Sequence, residues 1–340
     1  MSVLTALICI FHVSAQAIEN VESCPKEALK NINGAYVLVI VTSENWQTSN
    51  AKLKVFQRKS LGAAWVQNRA IVDEQAFIGE NGMAWGNKYR DLTENPSSDK
   101  FKVEGDHKTP AGVFRFRDKY FGQEARSKDP NYLQILRPKL EAEAIAPDTP
   151  VFVVNGKEMV SNELNCSDDV NNAKLYDRLW YRPAGALASV EEGSGEQLGL
   201  NKLYTLGLHI EHETSAVSKS GSCIFVHQVD EVLLAEMNAR IQDECRMKDA
   251  NQKSECAKKI EMLDRFHKAG QVATYGCTAL HKEALRRLVD LFAAEKSRGH
   301  QMAIASLPAE EFKKKSWHSC FQGIFDEAQG PNRKRDRVSK

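Results

Sequence analysis

The stretch Ala35-Tyr-Val-Leu-Val-Ile-Val-Thr42 follows Gly34 and consists mostly of β-branched and other apolar side chains. A run of this kind between turn residues is typical of a strand in a β-sheet. The sequence therefore predicts a mainly β fold for the first 230 residues, in which 208–213 and 223–227 form neighbouring strands. Similar runs, separated by Gly, Asn or Pro, lie at residues 51–58, 63–72, 112–117, 151–154, 203–213 and 222–228.

Two later segments have the spacing of helices instead. Residues 230–270 are charged, contain Ala and Leu, and place apolar side chains at helical intervals, which predicts an inserted helical hairpin. Residues 281–298 are predicted to form a C-terminal helix that packs on the core. Its apolar stripe consists of Leu285, Leu288, Val289 and Phe292.

The charges and the two chain ends limit the class of protein. The 340 residues carry 46 basic and 45 acidic side chains, which argues against a nucleic-acid partner. Residues 1–17 are apolar and end in Ala15-Gln-Ala17, which predicts a secretory signal peptide; a buried first strand or helix is the alternative. No later segment is apolar enough to span a membrane. Residues 306–340 are predicted to form an extension with a solvated basic tail.

The number of cysteines indicates whether a reactive thiol can remain after disulfides have formed. Loss of the signal peptide would remove Cys9 and leave seven cysteines. In an oxidising compartment these can form up to three disulfides, so at least one thiol remains. Cys245 and Cys256 are eleven residues apart in the predicted hairpin and are the easiest pair to propose, while the other connectivity stays open. The seven are Cys24, Cys166, Cys223, Cys245, Cys256, Cys277 and Cys320.

Thr274-Tyr-Gly-Cys-Thr-Ala279 places Cys277 after Gly276, in a turn between an extended segment and the last predicted helix. Glycine allows a sharp turn and close approach of a substrate, and N–H groups at a nearby helix N-terminus favour a thiolate. A thiol nucleophile needs a base, and His227 at the end of a predicted strand is the best-placed candidate. By their local pattern alone, both side chains could also be ordinary buried residues.

Several stretches resemble motifs of the L,D-transpeptidase (YkuD-like) catalytic domain. Glu104-Gly-Asp-His-Lys-Thr-Pro-Ala-Gly-Val-Phe-Arg-Phe116 resembles the family signature GD-x-(K/R)-TP-x-G-x-F. Gly221-Ser-Cys-Ile-Phe-Val-His227 and Thr274-Tyr-Gly-Cys-Thr-Ala279 resemble the branch with a GS-x-IF-x-H strand and a T-x-GC-x-A nucleophile turn. Residues 81–86 and 166–169 also look like that branch, so the resemblance covers roughly residues 35–294.

The resemblance implies a catalytic domain at residues 32–305, built as a β-sandwich or open barrel around a cleft. It implies that Cys277 is the nucleophile, His227 the general base and then acid, and Gly276 with Cys277 the backbone part of the oxyanion site. The implied substrate is the meso-diaminopimelate to D-alanine bond of a peptidoglycan stem, cleaved through a thioester without metal or organic cofactor. The implied location is the periplasm or the cell wall.

Two departures from the family pattern leave open which reaction this chain catalyses. Many members carry an Arg two residues after the nucleophile, where this chain has Ala279. The helical stretch 230–270 separates His227 from Cys277, and it could gate the acceptor side, bind a protein partner or simply stabilise the fold. Transfer to an amine is the favoured reaction. Hydrolysis of the same bond by an L,D-carboxypeptidase, or wall binding with weak catalysis, are the alternatives.

Five further residues are predicted on the substrate side of the cleft. Tyr275 and Thr278 flank the Gly-Cys pair, and His212 precedes the strand of the predicted base. Lys108 belongs to the signature loop, where a role in loop shape is favoured and a substrate contact is the alternative. Trp85 beside a glycine could line the cleft or pack in the core.

Two other kinds of active site, a metal centre and a nucleophile at Cys223, have less support from the sequence. The stretch Leu208-His-Ile-Glu-His-Glu213 contains metal-ligand types, but on a strand His209 and His212 would face opposite ways, so a metal peptidase is disfavoured. Cys223 shares a strand face with His227 but lies about 13 Å from it at the standard rise. Cys223 is therefore predicted to be a buried residue or a disulfide partner.

Overall fold

The computed structural model describes residues 24–92, 101–123, 129–134, 151–154, 157–160, 163–167, 176–182, 195–198, 202–212, 219–229, 273–321 and 324. The predicted signal peptide, the 230–270 insertion with its Cys245–Cys256 pair, and the basic tail lie outside these ranges. Within the described residues the fold is mainly β, as predicted, with few helices. No helix in this part of the chain is long and apolar enough to cross a membrane.

The first eight strands are β1 Ala35–Ser43, β2 Asn50–Gln57, β3 Val66–Gln67, β4 Glu74–Phe77, β5 Met83–Trp85, β6 Thr109–Gly122, β7 Tyr132–Gln134 and β8 Val151–Val154. The others are β9 Lys157–Val160, β10 Glu163–Ser167, β11 Leu179–Arg182, β12 Gly195–Gln197, β13 Leu206–Glu211, β14 Phe225–Gln228, β15 Thr278–Leu280 and β16 Gln301–Pro308. The α-helices are α1 Lys26–Gly34, α2 Lys282–Ser297, α3 Ala309–Lys313 and α4 Lys315–Cys320. Short 3-10 helices cover Asn87–Leu92 and Lys202–Tyr204.

Eight strands form one closed barrel, in the order β1-β16-β6-β13-β14-β15-β4-β2. The ring closes because β1 pairs with β16 on one side and with β2 on the other. The predicted sandwich or open barrel is thus wrong in this respect, since closure leaves β1 no unpaired edge. A three-stranded sheet, β11-β10-β12, and the β8-β9 pair are separate from it.

The predicted strands differ in how well they match. β1, β2, β8, β13 and β14 are confirmed, and β13 pairs with β14 as predicted. Of the predicted strand 63–72, only Val66–Gln67 is extended. β16 was not predicted, although it lies in the barrel beside β1 and β6, because its Met, Ala and Leu residues have little intrinsic strand preference.

The helix predicted at 281–298 is α2, and its apolar stripe is buried as predicted. Phe292 packs edge-on against Phe116 and Tyr120 of β6, with ring centroids 6.0 and 5.9 Å apart. α2 also contacts β13, β14 and β16, so it supports the strands that lead to the candidate site. The fold extends past the predicted domain limits, since α1 begins at Lys26 and β16 ends at Pro308.

Two disulfides tie distant parts of the chain together. Cys24 bonds to Cys320, across 296 residues, and joins the start of the described chain to α4. Cys166 in β10 bonds to Cys223, just before β14, and fastens the three-stranded sheet to the barrel. Among the cysteines in the described ranges, Cys277 alone keeps its thiol. Cys223 is thus a disulfide partner, which was one of the two predicted alternatives.

Candidate active site

The turn that carries Cys277 is fixed by two threonine side chains. The Thr274 hydroxyl donates to the Cys277 carbonyl at 2.5 Å and accepts the Gly276 N–H at 3.2 Å. From β6, the Thr109 hydroxyl donates to the Gly276 carbonyl at 2.9 Å and accepts the Gly79 N–H. The turn is therefore held from both sides immediately before β15.

Gly276 is required by the backbone at this turn. Its φ of +128° is a conformation that L side chains rarely adopt, and a Cβ here would lie 2.9 Å from the Lys108 carbonyl oxygen. The Gly276 N–H was predicted to bind an oxyanion. In this structure it already donates to the Thr274 hydroxyl, which would compete with the oxyanion for it. The expected helix N-terminus is not next to the thiol either, since β15 separates Cys277 from α2.

The Cys277 thiol lies against the backbone that leads into β14. Its Sγ accepts the Phe225 N–H at 3.3 Å and donates to the Cys223 carbonyl at 3.5 Å. The first contact favours the thiolate and the second favours the thiol, so loss of the proton strengthens the bond from the Phe225 N–H and removes the bond to the Cys223 carbonyl. The side chain is 7% exposed.

His227 lies on β14, in the strand next to the one that Cys277 precedes. It pairs with Ala279 of the parallel strand β15, and Cys277 lies two residues before Ala279, directly before that strand begins. The strand geometry puts the two Cα atoms roughly 8 Å apart. The structure thus brings the predicted nucleophile and the predicted base to neighbouring positions, across the 230–270 insertion.

The His227 ring is suited to accept a proton. Its Nδ1–H donates to the Gln228 carbonyl at 2.8 Å, which leaves the lone pair on Nε2 in the neutral ring. Burial lowers the pKa of His227 to about 4, against a smaller opposing effect of the Gln228 carbonyl. Tyr204 packs edge-on against the ring at 5.2 Å. At neutral pH the ring is an uncharged acceptor.

The signature loop owes its shape to Asp106. Its carboxylate accepts the Lys102 ammonium at 2.5 Å and the N–H groups of Val103 and Lys108 at 2.9 Å. Lys102 is 2% exposed, and its stem lies 3.7 Å from the position of a Cβ on Gly276. Sequence reasoning missed Lys102, because nothing in its polar surroundings indicates burial. Lys108 contributes its backbone to the wall of the nucleophile turn.

Tyr275 and Thr278 lie on either side of the Gly-Cys pair. Tyr275 is 69% exposed at the rim, and its ring lies 4.5 Å from the ring of His107, which is paired with Glu80. Thr278 is fully buried and, as the next residue along, points to the opposite face from Cys277. Of these two, only Tyr275 is accessible to a substrate.

Trp85 and His212 are both buried. Trp85 stacks on Trp317 at 5.5 Å and packs edge-on against Trp46, so its ring belongs to the core, one of the two predicted alternatives. The His212 Nε2 lies 3.3 Å from the Ser220 carbonyl, and burial lowers the pKa of His212 to about 4. The structure therefore assembles Cys277 with its turn, its loop and His227, while Trp85 packs in the interior.

A buried ion network behind the site was not predicted. Asp177 accepts Arg117 Nη2 at 2.5 Å, and its other oxygen accepts His209 Nε2–H and the Cys223 N–H, each at 2.9 Å. Burial alone would raise the pKa of Asp177, but His209, His212 and Arg117 together outweigh it and hold the pKa at about 2. Asp177 thus holds the backbone of Cys223, the residue whose carbonyl accepts the Cys277 thiol.

The metal alternative gains no support from this arrangement. His209 and His212 contact different partners, Asp177 and the Ser220 carbonyl. Cys166, Asp177 and His209 do place one potential ligand atom each within 4.8 Å of the others. In the oxidised protein, however, the Cys166 sulfur is bonded to Cys223 and is not a thiolate ligand.

No protein-family model matches the chain, and no curated protein and no solved structure matches it either. The function of the chain is therefore inferred from its motifs and from the arrangement of its side chains.

Proposed function

We propose that this protein is a cysteine-dependent acyltransferase of the L,D-transpeptidase type that acts on peptidoglycan stem peptides. One observation carries the proposal. Cys277 keeps its thiol and lies one strand from His227, a neutral histidine with its Nε2 lone pair available. The ordered motif resemblance across residues 35–294 supplies the substrate class.

The proposed reaction proceeds through a thioester. His227 Nε2 takes the Cys277 proton, and the thiolate attacks the carbonyl carbon between diaminopimelate and D-alanine. The resulting imidazolium returns the proton to the departing amine, so D-alanine leaves and the acyl group stays on sulfur. An acceptor amine then attacks the thioester, His227 takes its proton, and Cys277 is restored as a thiol.

Oxyanion binding requires a local exchange of hydrogen bonds. The Gly276 N–H donates to Thr274 without substrate and would have to turn to the substrate oxygen. The threonine keeps its bond to the Cys277 carbonyl, so the turn remains anchored during the exchange. The nature of the acceptor sets the product, because an amine gives a cross-link and water gives L,D-carboxypeptidase action.

A second candidate function is peptidoglycan binding without turnover. It is supported by the low exposure of the reacting side chains, 7% for Cys277 and 4% for His227. The alanine at position 279, where many family members have Arg, removes a further charged group from the cleft. In this second function the exposed rim around Tyr275 contacts the stem peptide.

Incubation of the protein with tetrapeptide-bearing peptidoglycan, followed by product separation and mass spectrometry, tests the proposal. Cross-linked dimers or tripeptides with free D-alanine are expected from the wild type and absent from Cys277→Ser and His227→Gln. The exposed His318→Gln is the matched control and should retain turnover. A carbapenem adduct lost in Cys277→Ser gives a second readout. Absence of product and adduct, with sacculus binding retained, would establish the second candidate instead.

A further inference from the structure

The signature loop bridges the two segments that lead to the proposed base and the proposed nucleophile. Its Glu104 N–H donates to the Lys219 carbonyl at 2.9 Å, at the start of the segment that enters β14. At its other end the Thr109 hydroxyl donates to the Gly276 carbonyl at 2.9 Å. The order of this loop therefore controls how the nucleophile turn is held.

The side chain of Lys102 lies between the same two segments. A Cβ on Gly221 would lie 2.9 Å from Lys102 Cε and 2.8 Å from its Nζ, and a Cβ on Gly276 would lie 3.7 Å from Cε. The two glycines, one in each segment, thus leave the space that the lysine fills. The side chain is 2% exposed, and an ammonium removed from water in this way needs a counter-charge.

The counter-charge is Asp106, whose carboxylate also shapes the loop. Its Oδ1 accepts the Lys102 ammonium at 2.5 Å and the Lys108 N–H at 2.9 Å, and its Oδ2 accepts the Val103 N–H at 2.9 Å. The carbonyl of Lys108 is the group that lies against Gly276. The carboxylate that orders this wall is therefore a negative charge close to the nucleophile turn.

A negative charge at this place opposes the thiolate that the proposed reaction requires. Two like charges about 10 Å apart, at an effective dielectric constant of about 20, repel by an energy equivalent to about one pH unit of thiol ionisation. Without compensation, Asp106 would therefore favour the protonated form of Cys277. The Lys102 ammonium on Oδ1 cancels that charge, and it does so without exposing the pair to solvent.

We propose that Lys102 is a positioning residue for Cys277, which cancels the charge of Asp106 so that this carboxylate orders the signature loop without disfavouring the thiolate. The role rests on the proposed function in taking Cys277 as the nucleophile. It concerns the ionisation of the thiol and is the same whether the acyl group passes to an amine or to water. A lysine that only filled the space between the glycines would leave that ionisation unchanged when replaced by methionine.

Other ionisable groups lie around the nucleophile turn, and substitutions at Lys102 and Asp106 leave all of them in place. Their effect on the thiol is common to the wild type and the variants, so it cancels when the proteins are compared. These groups are His227 on β14, His107 with Glu80 at the rim, Tyr275, Lys108, and Asp177 behind Cys223.

The rate of Cys277 alkylation by iodoacetamide between about pH 6 and pH 10, followed by peptide mass spectrometry, tests this role. The midpoint of the profile reports the ionisation of the thiol. Lys102→Met leaves Asp106 uncompensated and should raise the midpoint by about one pH unit, whereas Asp106→Asn leaves the ammonium uncompensated and should lower it. The double variant carries neither charge and should return close to the wild-type midpoint. Lys54→Met, which removes an exposed pair with Asp73, is the matched control and should cause no shift.

Shifts of opposite sign in the two single variants would support the role. Shifts of the same sign, or a wild-type midpoint in Lys102→Met, would overturn it and leave Lys102 as a space-filling residue. If Lys102→Met fails to fold, Asp106→Asn decides, since a midpoint at or above the wild-type value contradicts the proposal. Alkylation needs no peptide substrate. The expected shifts without turnover of peptidoglycan would therefore count against the proposed function alone.

Discussion

The Phe225 N–H donates to the Sγ of Cys277 at 3.3 Å, so the backbone that enters β14 stabilises a negative charge on the sulfur. The same backbone is held by the Cys166–Cys223 disulfide and by the bond from the Cys223 N–H to Asp177. The reactivity of Cys277 therefore depends on groups in a separate sheet and not only on a neighbouring base.

Removal of the Cys166–Cys223 disulfide should change both stability and reactivity. The double Cys→Ser variant should lose about 4 kcal/mol of unfolding free energy, because the disulfide closes a loop of 57 residues. It should also slow alkylation of Cys277 by iodoacetamide several-fold, since the Phe225 N–H is no longer held in position. The double Ser variant of Cys24–Cys320 is the control: it loses stability but keeps the alkylation rate. If both double variants slowed the alkylation of Cys277 equally, the reactivity of Cys277 would not depend on the Cys166–Cys223 disulfide in particular.

Acid should destabilise the protein through His227. The folded pKa of about 4 lies below the ordinary value of 6.5, so the unfolded chain binds the proton more readily. Stability is fully present above pH 6.5 and falls as pH drops towards 4, by about 2 kcal/mol at pH 5 from this group. Urea unfolding at pH 7.5 and pH 5 should show that His227→Gln loses less stability than the wild type. The exposed His318→Gln should match the wild type.

Gly276→Ala should damage the nucleophile turn. The Cβ would lie 2.9 Å from the Lys108 carbonyl oxygen, and the φ of +128° is unfavourable for alanine. We expect a loss of about 2 kcal/mol in unfolding free energy and slower alkylation of Cys277. Gly62→Ala, with open space around the added methyl group, should leave both unchanged. A wild-type rate in Gly276→Ala would show that the turn tolerates a side chain.

Asp177→Asn should be strongly destabilising. The change leaves Arg117 without a counter-charge in a buried site, which typically costs about 3 kcal/mol. Chemical denaturation should show this loss, whereas Asp118→Asn should cost less than about 0.5 kcal/mol because its ion pair with Lys296 is exposed on the carboxylate side. Near-equal losses in the two variants would contradict the assigned role of the buried network.

Much of the local structure could be predicted from the sequence, because it depends on short-range patterns. β1, α2 and the Gly276–Cys277 turn follow from β-branched runs, an apolar stripe and a glycine in a left-handed position. The proximity of His227 to Cys277 was predicted from motif order, and the β14–β15 pairing puts Cys277 two residues before the strand partner of His227.

Long-range partners could not be predicted in the same way. The Cys24–Cys320 bond joins segments 296 residues apart, and sequence offers no rule for such a pairing. Asp177 looks like any loop aspartate until the fold surrounds it with Arg117, His209 and the Cys223 N–H. The closure of the barrel was missed for the same reason, since it depends on both partners of β1 at once.

The position of β16 in the barrel has a consequence for biosynthesis. β16 separates β1 from β6, although it is made after every other barrel strand. When the chain has emerged from the ribosome only as far as α2, β1 and β6 each still have one unpaired edge. Such edges are prone to pair with other chains. The barrel therefore cannot close until its last strand has been made, and until then β1 and β6 can pair with other chains.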